Sequence, residues 1–490
     1  MWYNGGMKVK KERKVGRVIG VILVFVIAAV AGVFLVQYVT KTGVFRVPGK
    51  LIFEESVSDA EKEEISQVFA NVELEKDVVV AAKSAEEWPK LAEGEFLTEI
   101  LVPVTDFYDV REEVSEVAEA EWISLRELDF RRKLLKVDGE YFLETFDKGA
   151  RYRVISFSSE KYEEISSRVE KEFFKEWPTR ETVLSFAQTG VTAFSRRMNA
   201  KMNEVGNGEY FAEKIGEFLS RFDITHTSNE ASFFAWPSTS GTTGTPICAD
   251  NRFRDTLIAI GLDIVELTGN HNQDCGDEAA RESVDFYREN GISIVGGGKT
   301  AEEAREPLLI SKKGTNITFL AYNQSTAGAT YDATPGANQY YEENARMEIA
   351  AAKERGDFVV VDVQYNECTV YASETEDATC DRADSAAGDQ VGLFRKLVEM
   401  GADVVVGTSA HQPQTFELYQ NGAIYYGLGN LFFDQVYWPG TTRSLVLAHY
   451  FYQGKLLQTR VIPTVYDASF QTRVMEDAQW FIERLLSVRP

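Results

Sequence analysis

Gly261-Leu-Asp-Ile-Val-Glu-Leu-Thr-Gly-Asn-His-Asn-Gln-Asp274 decides how the rest of the chain is read. Ile264 to Leu267 is expected as a buried strand that stops in a polar turn, Thr268-Gly269-Asn270-His271. An apolar strand ending in Gly-Asn-His sets an amide oxygen and an imidazole at the carboxyl edge of a sheet, where open α/β folds bind their ligands. Both groups suit divalent metals. The bland reading is that Gly269 makes the turn and His271 hydrogen-bonds locally, and a tripeptide alone does not choose between the two.

A chain of 490 residues with 44% apolar and 12% aromatic content predicts a globular protein of several domains. Its formal net charge of −24 excludes nucleic acid as a partner, because a phosphate backbone needs a basic surface. The basic residues gather at the N-terminus, with Lys8, Lys10, Lys11, Arg13, Lys14 and Arg17 against one acid, Glu12. Val18 to Val36 then runs 19 residues without a polar side chain, enough to cross a hydrocarbon core. The charge asymmetry puts residues 1–17 in the cytoplasm and the remainder outside a single-pass anchor at 18–38. A cleaved signal peptide would have a shorter apolar core followed by a small-residue site. Outside the cell disulfides are permitted. Cys248, Cys275, Cys368 and Cys380 allow three pairings, of which Cys248–Cys275 with Cys368–Cys380 is the sequence-local one, and free buried thiols are the alternative.

Residues 39–50 read as a linker and 51–178 as an accessory α/β or α+β domain. Within it Ser58-Asp-Ala-Glu61 has capping-box spacing ahead of a helix to Phe69, and further helices are expected over Val114 to Ala120 and Lys161 to Glu176. No convergent polar motif marks this region. From about 179 to 470 strands and helices alternate, which predicts a layered α/β domain with a mixed sheet. Expected strands include Thr182 to Ala187, Ile317 to Ala321, Phe358 to Val363, Val404 to Val406 and Leu445 to Tyr452. Expected helices include Gly206 to Phe222, Asp277 to Asn290 and Asp389 to Met400, with a last helix in 471–490. Gly296-Gly-Gly298 lacks the spacing of a dinucleotide-binding turn.

Four stretches at expected strand ends carry proton- or metal-competent groups. They are His226-Thr-Ser-Asn229-Glu230, Gly269-Asn270-His271 with Asp274, Gly407-Thr-Ser-Ala-His411, and Gly429-Asn430 through Asp434. Three of the four histidines fall in them, and only His449 lies elsewhere, which favours one shared site over four unrelated ones.

In the order and spacing of these stretches the chain resembles the CapA (PgsA-type) capsule-synthesis proteins associated with poly-γ-glutamate, whose fold is metallophosphatase-like (calcineurin-like). The resemblance covers Thr182 to Val465. It rests on Asn270-His271-Asn-Gln-Asp274, on Gly401-Ala-Asp-Val-Val-Val-Gly407 through His411, and on Leu428-Gly-Asn430-Leu-Phe-Phe-Asp434. The departures are equally clear. The family's Gly-Asp appears as Gly190-Val191, its His-Trp-Gly as Gln364-Tyr365-Asn366, and of its Gly-His-His-Pro-His only His411 is kept.

A two-metal centre needs about six or seven ligands around cations roughly 4 Å apart. What the resemblance leaves here is Glu230, Asn270, His271 and His411, with Asp434 or His226 as a supplement, a set for at most one divalent metal. One expectation is therefore an extracellular hydrolase or transferase in which Glu230, His271 and His411 carry the chemistry. Asn229, Asn270, Asn430, Gln364 and Arg196 would then contact the polymer. The other is a non-catalytic polymer-binding or scaffolding component working with other capsule synthase subunits. In a third, the strand-end residues only brace loops. An acidic ectodomain repels a polyanion, so either polymer reading needs a local basic patch, for which Arg196, Arg197, Arg252 and Arg254 are available.

Overall fold

The computed structural model describes residues 49–114, 120–240, 246–365, 389–437 and 439–490. The expected anchor at 18–38, the basic tail before it, most of the Val114–Ala120 helix, Asn366, Cys368 and Cys380 lie outside the described residues. Among the described residues no helix is long and apolar enough to cross a membrane.

Contacts divide the chain into two compact units. The smaller holds residues up to Ala85, Pro89–Glu99 and Tyr152–Lys175; the larger holds Glu86–Trp88, Ile100–Arg151 and Glu176–Pro490. This division differs from the expected 51–178 and 179–470. Residues 100–151 fall in the larger unit because Phe107 is buried in its core, edge-on to Phe416 at 5.9 Å.

In the smaller unit, the strand Leu51–Phe53 runs parallel to Val78–Ala85, which pairs antiparallel with Arg151–Ser158. The helix Asp59–Phe69 starts at the expected capping box: the Glu61 amide donates to the Ser58 hydroxyl, and Glu61 Oε2 accepts from the Ser58 amide at 2.7 Å. Ile65 and Phe69 from this helix bury against Val78, Val80, Ile155 and Phe157. The Arg153 guanidinium, 2.9 Å from both Glu61 oxygens, holds the Glu61 carboxyl down to about 2.

The larger unit is built on two sheets. The first contains β1 (Leu184–Thr192), β2 (Ile224–Asn229), β3 (Ile264–Glu266) and β4 (Ser293–Val295), all parallel. The second contains β5 (Leu308–Lys312), β6 (Thr315–Asn323), β7 (Phe358–Gln364), β8 (Val404–Thr408), β9 (Phe416–Tyr419) and β10 (Gly422–Tyr425). Its order is β5-β6-β7-β8-β10-β9, parallel through β6, β7, β8 and β10. The chain then returns to the first sheet as β11 (Asn430–Phe432), β12 (Arg443–Tyr452), β13 (Lys455–Val465) and β14 (Arg473–Val474), giving the order β4-β3-β2-β1-β12-β13-β14 with β11 beside the end of β1.

The parallel strands read as near-continuous apolar runs because both their faces are covered. Between the sheets, Phe186, Ile224 and Ile264 meet Ile317, Phe319, Val360, Val404 and Val406. Phe186 and Phe319 sit edge to face at 5.3 Å, and truncating either to alanine would cost about 3–5 kcal/mol. On the outer face of the second sheet, Ala345, Ile349 and Ala352 of α1 (Glu342–Glu354) and Phe394, Leu397 and Val398 of α2 (Gln390–Met400) cover Val359, Val361 and Val405. Asp389 caps α2 and Gly401, at φ 118°, ends it, as the sequence leads one to expect.

One expected helix is corrected. Gly206 to Phe222 is no single helix: the helix Arg197–Val205 ends at Gly206, whose φ of 70° is left-handed, and Asn207 then caps a 3-10 turn at Gly208–Ala212. A short helix, Gly216–Leu219, follows. The expected Thr182–Ala187 strand runs on to Thr192, and the last helix is Gln479–Leu486.

Candidate functional site at the strand ends

The carboxyl ends of β2 and β3 and of β6, β7 and β8 lie at one end of the two sheets. Asn323, which ends β6, donates its amide to Thr268 O at 2.9 Å, and Gln364, which ends β7, donates to Asn270 Oδ1 at 3.1 Å. The Thr408 hydroxyl, at the end of β8, donates to Gln364 Oε1 at 3.2 Å. A relay of neutral groups, Thr408–Gln364–Asn270, thus spans from one sheet to the other.

The turn holding Asn270 is fixed by close backbone approaches. A Cβ on Gly269 would stand 2.7 Å from Glu230 Cα, and one on Gly328 would stand 2.8 Å from Asn270 Cα. His271 Nδ1 lies 2.9 Å from Asp274 Oδ2, an oxygen that also accepts the Ile247 amide at 2.8 Å. The Cys248–Cys275 disulfide ties together the residues next to these two partners, one of the pairings open in the sequence. A carboxylate only accepts, so in neutral His271 Nδ1 carries the proton and Nε2 the lone pair. The His271 and Asp274 side chains are 13% and 17% exposed, so this pair borders solvent.

His411 belongs to a second group. Its Nδ1 is 3.0 Å from Asn430 Oδ1, while the Asn430 amide donates to Gln435 Oε1 and Thr441 O, each at 3.1 Å. With that amide oriented, Asn430 Oδ1 accepts and His411 Nδ1 donates. The imidazole packs on Phe433 at 5.0 Å. Over the same ring, at 5.1 Å, lies Arg196, which grips Asp434 with Nε at 3.0 Å and Nη2 at 2.6 Å. Arg196 at φ 43° and Ser409 at φ 80° hold left-handed conformations that only tertiary contacts sustain in non-glycine residues.

These positions sort the expected site residues. Asn270 meets Gln364 directly, His411 meets Asn430, and Glu230, fully buried, packs beneath Gly269. Asn229 faces elsewhere: its amide donates to Ala231 O and to the Tyr287 hydroxyl, on the helix Asp277–Glu289. Arg196 spends its charge on Asp434, and Arg252 pairs with Asp250 in the same way. The expected basic patch is therefore neutralised at these two positions. Among the described residues no three His, Cys, Asp or Glu side chains stand together as a metal group would require. Glu230, His271 and His411 of the expected set are therefore not gathered around one point, and the set does not fit one divalent ion.

His226 corrects the expectation that three histidines share the strand ends. It lies within β2, fully buried between the sheets, stacked on Phe319 at 6.2 Å. Its Nε2 is 3.2 Å from Asp362 Oδ2, close enough for an ion pair but not aligned as a hydrogen bond. Asp362 Oδ1 accepts the Gln188 amide at 2.6 Å. Glu266 is buried in the same region, where desolvation and then the charge of Asp362 push its carboxyl up to about 7. His449 is driven down to about 3, by burial first and then by His226. Sequence reading passed over this interior group, although an acid inside each apolar run, Glu266 in Ile264-Val-Glu-Leu267 and Asp362 in Phe358-Val-Val-Val-Asp-Val363, is its visible sign.

Comparison with known proteins places this geometry. The family described as "Bacterial capsule synthesis protein PGA_cap" matches residues 185–435, just over half of the chain. The "Capsule biosynthesis protein CapA" of Bacillus anthracis is 25% identical over 209 residues, 41% of this chain and 47% of that protein. The "PGA biosynthesis protein CapA" of Bacillus subtilis is 27% identical over 191 residues, 38% and 46% of the two chains. A "Probable polyglutamine synthesis accessory protein" of Mycobacterium tuberculosis is 25% identical over 217 residues, 39% and 54%. The chain spans about half the length of these curated relatives. Among solved structures, a hypothetical protein from Thermus thermophilus aligns over 58% of this chain and 99% of its own, at 12% identity and a TM-score of 0.34. The matched segment begins in β1 and ends at Gln435, enclosing the strand-end groups described above, and the chain is a member of the bacterial capsule synthesis (PGA_cap) family, with its metallophosphatase-like α/β fold.

Proposed function

We propose that this protein handles an amide-linked anionic polymer of the poly-γ-glutamate type during its synthesis, export or processing, and that the strand-end relay is where the polymer is held. The observation that carries this reading is the chain Thr408–Gln364–Asn270 at the mouth of the two sheets. Its amides and hydroxyl match the donors and acceptors of a peptide-like backbone and need no cation. Gln364 and Thr408 are buried and bonded within the relay, so a polymer meets it at the half-buried Asn270, where its desolvated amides need polar partners. The apolar run at residues 18–36, with the basic residues before it, supports a membrane-anchored protein acting at the outer surface.

The test is titration of the full chain, in lipid nanodiscs, with poly-γ-glutamate, with and without EDTA. Saturable binding that survives EDTA and falls at least tenfold in Asn270→Ala or Gln364→Ala is expected. Binding abolished by EDTA, or untouched by either substitution, would overturn this reading.

A second reading rests on the His271–Asp274 pair. An imidazole oriented by a carboxylate through Nδ1 and bordering solvent is built to take a proton from water or an amine through Nε2, the step that amide hydrolysis or transfer requires. Polymer shortening by the full chain, lost in His271→Ala and slowed in Asp274→Asn, is the outcome that separates a hydrolase from a binder. Polymer of unchanged length leaves the binding reading alone.

A further inference from the structure

The larger unit also contains a cleft of about 510 Å³, formed where β1 and β2 begin, which is the opposite end of these strands from the Asn270–Gln364 relay. A volume of that size is in the range of small-molecule sites. Its apolar wall is aromatic. Phe218 and Phe222 meet edge to face at 5.6 Å, Phe222 approaches Tyr450 at 6.5 Å, and Phe146 completes the lining.

The charges facing the cleft are unequal in what they leave available. Asp223 is charge-paired within the wall: its Oδ2 accepts the Ser185 amide at 2.9 Å, the Ser185 hydroxyl at 3.1 Å and Lys313 Nζ at 2.8 Å. Lys313 is equally spent, because Nζ also donates to Arg180 O and Val183 O. Glu144 accepts from Arg460 and, at 3.3 Å, from the Tyr450 hydroxyl. Arg180 and Arg221 differ. Both are exposed; Arg180 donates to a backbone carbonyl, Glu144 O, while retaining its charge. Arg221, 68% exposed, pairs with Glu217, 85% exposed, and an ion pair so open to water holds its partner weakly. In a chain of net charge −24 this leaves an aromatic cleft whose available charge is cationic.

We propose that this cleft is a second binding site, for a small aromatic carboxylate whose ring lies among Phe146, Phe218, Phe222 and Tyr450 and whose anionic group meets Arg180 and Arg221. Ring contacts of this kind favour offset or edge-to-face packing at roughly 4.5–7 Å, the range in which Phe218–Phe222 and Phe222–Tyr450 already meet. The site is independent of the polymer reading, since it shares no residue with the strand-end groups.

Equilibrium dialysis of 2-naphthoate against the full chain in lipid nanodiscs, with empty nanodiscs as reference, tests it. One saturable equivalent is expected, with affinity reduced at least tenfold in Arg221→Glu and in Phe218→Ser and largely restored in Arg221→Lys. Arg221 is on the surface, so its variants separate lost binding from lost folding. Neutral 2-naphthamide, and octanoate, which has the charge without the ring, are expected to compete poorly. No saturable binding above the empty nanodiscs, equal binding in the Arg221→Glu and Phe218→Ser variants, or displacement by the amide or by octanoate as effective as that by unlabelled 2-naphthoate would overturn the assignment.

Discussion

The four histidines form two contrasting pairs. His271 and His411 sit in loops past the strand ends, each held through Nδ1 by a side chain from its own neighbourhood. His226 and His449 sit inside strands, fully enclosed between sheets and flanking the same Phe186 ring, with His226 beside Asp362. His271 borders solvent at the mouth of the fold and His411 is buried beneath its loop, while the second pair is part of the interior. A position along a strand, more than the residue type, separates a group that can meet a ligand from one that holds the sheets in register.

Substitutions can break this contrast or sharpen it. The largest effect is expected in the interior. Asp362→Ala strands the Gln188 amide and opens a cavity beside the enclosed His226, at a cost of about 3–5 kcal/mol. Urea unfolding would show this loss; a stability within about 1 kcal/mol of the parent would mean that the interior group is not a structural network.

Next comes the disulfide behind the outer pair. Cys248 and Cys275 close a loop of 27 residues, so the double serine variant should lose about 3–4 kcal/mol by the chain-entropy relation. Freed of that restraint, the Asp274 that orients His271 should also become more mobile. Amide exchange at Ile247 and His271 in the variant against the parent reads the second effect directly.

The third effect depends on pH. Glu266 has a folded value near 7 against an ordinary 4.5, so the fold holds its proton more tightly than the unfolded chain does. Its contribution is fully present below the unfolded value and is lost as pH rises through the folded one, on the order of 3 kcal/mol in all. Glu266→Gln keeps an acceptor for the Thr268 amide and removes the charge. The variant should therefore match the parent at pH 4 and exceed it at pH 8. His449 works in the other direction: its folded value is near 3, so its contribution is present above the unfolded value of 6.5 and fades as pH falls toward 3.

The smallest effect on stability, and the one that sharpens the contrast most, is at the strand end. His271→Ala removes the partly exposed contact with Asp274 and should cost less than about 1 kcal/mol. If polymer shortening disappears while the unfolding midpoint barely moves, the outer histidine is a working group. A collapse in stability comparable to Asp362→Ala would place it with the interior pair.

Much of the architecture is legible in the sequence because it rests on local rules. The Ser58–Glu61 capping box, the α2 boundaries at Asp389 and Gly401, and the apolar runs of β6, β7, β8 and β12 all lie where short-range chemistry puts them. The expected Gly206–Phe222 helix fails because three glycines and a capping asparagine compete with helical propensity inside that span. The strand-end turn is visible as a motif, and that motif carries the family resemblance. Which of its residues touch is not visible. Asn229 turns to Tyr287, Arg196 to Asp434, and His226 to Asp362.

The sequence by itself therefore determined most of the elements and the family motif, though not the Gly206–Phe222 segment or the unit boundaries, since periodicity, caps and turn residues act within a few positions of one another. The tertiary structure alone decided the partners of the polar groups. Gln364 reaches Asn270 across 94 residues of chain, and Gln188 reaches Asp362 across 174. At such separations a buried amide or carboxylate takes the partner that packing brings to it, because leaving it unmade costs about 1–3 kcal/mol.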